Sequence, residues 1–153
     1  MGKKKSWSLI KKQLEQEYLA DSLKGHIKYF ATRYRKSHDQ EGRASILFDG
    51  KEIIKGCFLK WEANRFDIEE NCNALAVELN AFDQIDFYYS FYVYENQSIE
   101  ESLQSKNMLA KIFAIFDRRV GKRTLLKLQE DIENEPKFIQ EVFRIRAHAE
   151  GII

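Results

Sequence analysis

The sequence predicts an α+β fold: an N-terminal helix, a three-stranded antiparallel meander, and a helical C-terminal half. Three observations carry this. Apolar residues recur at three- and four-residue steps, then alternate, then return to helical spacing. Asp49-Gly50 separates two alternating stretches, and this pair favours a two-residue hairpin, whose central residues both need positive φ. Capping boxes follow the alternating region, at Asp67-Ile68-Glu69-Glu70 and Ser98-Ile99-Glu100-Glu101.

The first helix is read from Trp7, Leu9, Ile10, Leu14, Tyr18 and Leu19, with Lys11, Lys12, Glu15 and Glu17 between them and Gly25 as its stop. His26 to Arg35 is rich in Ile, Tyr, Phe and Thr and reads as a strand. His38 to Gly42 reads as a polar turn, Arg43 to Phe48 as the second strand, and Glu52 to Trp61 as the third. On that third strand the period of two puts Ile53, Cys57, Leu59 and Trp61 on one face, with Lys55 and Lys60 on a wetter one.

After Arg65 the chain reads as helical, through Leu75, Val77, Leu79 and Phe82. Phe82 to Tyr94 has strand-like composition. Ile85, Tyr88/Tyr89 and Tyr92 nevertheless fall at helical steps, and the stretch is assigned to helix. Met108, Leu109, Ile112, Phe113 and Phe116 form the next stripe, and Leu125, Leu126, Leu128 and Ile132 continue it. Asp117 to Gly121 reads as a helix C-terminus, with arginines at the negative dipole end and glycine past it. Pro136 opens a last helix carrying Phe138, Ile139, Val142, Phe143 and Ile145, which ends near Gly151.

At 153 residues the chain is expected to be one domain, with residues 1–5 a disordered basic tail. A hydrophobic fraction of 44% supports a packed core and excludes wholesale disorder. No apolar run is long enough to cross a bilayer. Cys57 and Cys72 lack the partners that a disulfide framework or a zinc site needs, so reduced thiols and a cytoplasmic setting are expected. No cofactor or metal is expected.

The net charge of +1 conceals a strong asymmetry: residues 1–60 carry +7, residues 61–105 carry −9, and residues 106–153 carry +3. The central segment holds Asp67, Glu69, Glu70, Glu78, Asp83, Asp86, Glu95, Glu100 and Glu101 around Tyr88, Tyr89, Tyr92 and Tyr94. Tyrosines give large rigid contacts and carboxylates steer cationic partners, so this segment is the candidate protein-binding surface. A solvated helix face, or neutralisation by the basic flanks, would look the same in sequence.

Other motifs carry less. Gly121-Lys122-Arg123-Thr124 resembles the end of a phosphate-binding loop, but the glycine five positions earlier is replaced by Phe116. Met1-Gly2-Lys3-Lys4-Lys5-Ser6 fits a myristoylation pattern that is short and common. His38 with Asp39, Glu41 and Arg43 has acid–base chemistry at hand, though a turn attracts such residues for its own geometry. The strand 26–36 mixes Lys28, Arg33, Arg35 and Lys36 with Tyr29, Phe30 and Tyr34, which suits a single-stranded RNA-binding module.

Residues 23–53, LKGHIKYFATRYRKSHDQEGRASILFDGKEI, and 115–128, IFDRRVGKRTLLKL, resemble a family of small bacterial proteins. Some members look like immunity proteins encoded beside LXG-type polymorphic toxins of Bacillus, of the YxxD type. The resemblance implies an antitoxin, without catalysis, that binds and blocks the C-terminal nuclease domain of a cognate toxin; it transfers no binding residues. A nuclease cleft is basic because its substrate is a polyanion. The acidic, tyrosine-rich segment is therefore the expected occluding surface, on a monomer or weak dimer.

Overall fold

The computed structural model describes residues 5–32, 43–57, 72–80, 82 and 84–153. The fold is α+β, as the alternation and the capping signals predict. It runs α1 (Trp7–Lys12), β1 (Ile27–Thr32), β2 (Arg43–Phe48), β3 (Lys51–Cys57), α2 (Ala74–Glu78), α3 (Gln84–Glu95), α4 (Ile99–Leu103), α5 (Met108–Ile115), α6 (Lys122–Gln129) and α7 (Lys137–Ala149). No helix is long and apolar enough to cross a membrane among the described residues.

The N-terminal helix is shorter than its apolar spacing implies. Ser6 caps α1 by accepting from the Leu9 amide, and the chain widens into a π turn at Gln13–Glu17. It then leaves helical geometry, because its backbone bonds elsewhere: the Ala20 amide donates to Phe116 O and the Arg118 amide to Tyr18 O. This bridge between Leu19 and Asp117 ends the helix well before Gly25.

The sheet order is β1-β2-β3, antiparallel throughout. Asp49 and Gly50 both take positive φ, as the hairpin requires. A bulge at Ile46/Leu47 leaves Ile53 as the extra residue, so Ile54 faces Ile46 in the core. Ile53 is therefore only half-buried at the edge of the core, and Ile54 and Gly56 take the inward positions expected for Ile53 and Cys57. Leu59, Lys60 and Trp61 lie outside the described residues.

Gly56 is required by packing. A Cβ there would stand 2.2 Å from the carbonyl oxygen of Phe82, whose ring is fully buried over the strand. At the other edge, α1 and the π turn cover β1. Glu15 accepts from the Tyr29 amide at 2.7 Å, while Lys11 donates to Tyr29 O at 2.6 Å and pairs with Glu15. These side chains satisfy edge-strand groups that would otherwise be open to pairing.

The inner face of the sheet (Ile27, Tyr29, Ala44, Ile46, Ile54) meets α3 and α5 through aromatic contacts. Tyr29 packs edge-on against Phe87 and Phe113, and Trp7 stacks on Phe87 at 5.7 Å. The stripe Met108, Leu109, Ile112, Phe113 and Phe116 is buried as expected, and Lys111 is the one residue of α5 that is not. On α6 only Leu125 is buried, and Leu126 is exposed. Pro136 caps α7 rather than entering it, and Gly151 closes it at φ +76°.

The segment after α5 differs from its sequence reading. Gly121 has φ −96° and opens α6, so it is not a left-handed stop. The arginine that binds the end of α5 comes from α7: buried Arg146 donates to Ile115 O and Asp117 O, both at 2.8 Å, and to Val120 O. Its Nε donates to Glu150, which also accepts from Ser22 at 2.7 Å. Burial pushes the Glu150 carboxyl up, but the Ser22 and Arg146 hydrogen bonds outweigh it and hold it below the ordinary range. Asp117, also buried, accepts from Tyr94 and from both Nε and Nη2 of Arg119.

Candidate protein-docking face

Helix α3 is apolar around most of its circumference. Its sequence, QIDFYYSFYVYE, alternates no polar face with its apolar one. Phe87, Phe91 and Tyr94 point inward and are buried with Gln84 and Ser90. On the opposite side Ile85, Tyr89 and Tyr92 follow at four- and three-residue steps and are 62%, 51% and 60% exposed. Tyr88 lies between the two faces, half-buried against Trp7. A helix with apolar residues on all sides is ordinarily enclosed; here half of it faces solvent. On α2, Leu75 and Leu79 are also exposed.

The described carboxylates of the central segment differ in their surroundings. Asp86 is only 3% exposed, which removes it from any docking surface. Glu95 binds Lys5 and accepts from the Tyr18 hydroxyl at 3.0 Å. Burial, then that bond, pushes the Tyr18 phenol up to about 12. Glu101 completes the predicted capping box, accepting from the Ser98 amide at 2.9 Å, and that bond lowers its pKa. Glu78 and Glu100 remain exposed. Asp67, Glu69, Glu70 and Asp83 lie outside the described residues, as do the 67–70 capping box and His38, Asp39 and Glu41 of the His38 cluster. Helix α2 is capped by Asn73, which accepts from the Ala76 amide at 2.8 Å.

The tyrosines divide the same way. Tyr94 is buried on Asp117, Tyr29 is buried in the core, and Tyr89 and Tyr92 stand outward. Within strand 26–36 only Phe30 offers an open ring among the described residues, and Lys28 faces Glu15 at 3.9 Å. The sequence alone places Tyr89 and Tyr92 in the candidate surface but does not include Ile85 there. The signal was present: a twelve-residue helix with so few polar positions cannot bury every side.

One family model, that of the SF0329 protein family, matches residues 6–147. No curated protein and no solved structure matches the chain.

Proposed function

The chain belongs to the SF0329 protein family, and from that premise we propose that it is a binding protein: a cytoplasmic immunity protein that neutralises a cognate nuclease toxin of the LXG type. The observation that carries the binding role is the outward face of α3, with Ile85, Tyr89 and Tyr92 more than half exposed on a helix whose other side is buried. The toxin as partner rests on the resemblance of residues 23–53 and 115–128 to immunity proteins. In this reading the tyrosines supply contact area and anchoring, while Glu78 and Glu100 steer a cationic partner.

The test is co-expression with the toxin encoded by the adjacent gene. The pair should co-purify, and cells should survive only when both are made. Tyr89→Ala with Tyr92→Ala should weaken the complex by tenfold or more while leaving the fold intact. Glu78→Lys with Glu100→Lys should slow association at low salt and much less at high salt. Equal killing with and without this protein overturns the immunity role. Undiminished binding by the double tyrosine variant overturns the α3 face.

A further inference from the structure

A cleft of about 520 Å³ opens among α4, α5, α6 and α7. None of its lining residues belongs to α3. Its volume lies in the range of roughly 300–1,000 Å³ typical of ligand sites. The floor is apolar: Leu103, Ile115, Leu128, Ile139 and Phe143. The mouth is polar and braced. Lys111 on α5 pairs with Glu135, whose main-chain carbonyl accepts from Gln140 on α7 at 2.8 Å. That pair consumes one charge of each sign. The remaining charged lining residues are Glu100 on α4, Lys127 on α6 and Asp131 just beyond it. Glu100 and Asp131 are exposed and outnumber the single remaining cation.

This combination selects its occupant. A phosphate or an acidic peptide would meet a mouth where Glu100 and Asp131 outweigh Lys127, while a purely aliphatic ligand would leave that charge unused. We propose that the cleft is a second binding site, for a peptide segment of a partner protein that seats a large apolar side chain on the floor and sets a flanking lysine or arginine against Glu100 and Asp131. Solvation limits each such rim pair, so the apolar residue supplies most of the affinity and the cation supplies selectivity. The cleft contains no residue of α3; Glu100 serves both readings, while Asp131 belongs to the cleft and Tyr89 and Tyr92 to the α3 face, so either assignment can fail without the other.

Two N-acetylated, C-amidated hexapeptides test it by nuclear magnetic resonance of the ¹⁵N-labelled full chain: Lys-Leu-Phe-Lys-Leu-Lys and its counterpart with Glu replacing every Lys. The basic peptide should shift the amides of Leu103, Thr124, Leu128 and Ile132, and the acidic one should not. Glu100→Gln with Asp131→Asn should weaken binding by about three- to tenfold. Thr124→Trp, which fills the mouth, should abolish it. Identical shifts from both peptides would remove the role of Glu100 and Asp131 and overturn the proposal; none at the cleft up to millimolar peptide would reduce it to a packing gap and overturn the proposal as well. Shifts confined to Ile85, Tyr89 and Tyr92 would overturn it too, while leaving the α3 reading in place. The Glu100/Asp131 variant changes exposed side chains only, so it reads out even if the tryptophan variant does not fold.

Discussion

The turn at Asp117 and the outer face of α3 treat their side chains in opposite ways. Around Asp117 charge is buried and matched: Tyr94 and Arg119 hold the carboxylate, and Arg146 holds three carbonyls and Glu150. On the outer face of α3 apolar rings and an isoleucine are left to water. A polar group enclosed with its partners is committed to the fold, because a lost partner leaves an uncompensated charge. An apolar group left exposed contributes little to stability and is available for contact. The division separates the residues that hold the molecule together from those offered to another molecule.

The sharpest way to break the first region is Arg146→Leu. It removes the Arg146 donor from three carbonyls and Glu150, leaving Asp117 O only the Val120 amide and Glu150 only Ser22, and should cost about 3–5 kcal/mol, read from the urea midpoint. Arg146→Lys should recover little, because an ammonium lacks the planar fork that reaches several carbonyls at once.

Alkali should attack the same region. Burial, reinforced by Asp117, raises the Tyr94 phenol well above its usual value; burial, reinforced by Glu15, does so for Tyr29. The unfolded chain releases these protons first, near pH 10, so their contribution is whole below that pH and declines as pH rises through the folded values. Each buried phenol should withdraw about 1.4 kcal/mol per pH unit above 10. Urea midpoints measured from pH 9 to 11.5 should fall steeply; a flat profile would contradict the burial of these two rings.

Gly56→Ala should cost about 1–3 kcal/mol by forcing Phe82 away from β3, and thermal unfolding would measure it. Smallest of all, Ile85→Ser, Tyr89→Ser and Tyr92→Ser should each change stability by no more than about 0.5 kcal/mol. A large loss from any of them would erase the contrast, since it would make the outer face part of the core.

The sequence disclosed the order of elements because local signals set them. Asp49-Gly50 turned the hairpin, Ser98 and Glu101 formed their box, and the Met108 stripe was buried. It misled where long-range pairing intervenes. Residues 13–19 have helical spacing, but Tyr18 and Ala20 take backbone partners near Asp117. Ile53 has the right parity for the core until the bulge shifts it. The carboxylates read as a field because a string of letters does not reveal that Asp86 is enclosed or that Glu95 meets Lys5. In α3 the stripe used to recognise the helix, Ile85, Tyr89 and Tyr92, is the exposed one; the core is held by Phe87, Phe91 and Tyr94. Periodicity identified the element correctly and said nothing about which side lies inward.

The bridge between Leu19 and Asp117 also bears on synthesis. The two residues stand roughly a hundred positions apart, and Arg146, which fastens the same turn, is translated later still. The opening segment therefore cannot dock until roughly a hundred further residues have been added to the chain. Until then Phe87 and Tyr94 of α3 also lack Phe113, and the nascent chain exposes apolar surface that the finished fold encloses.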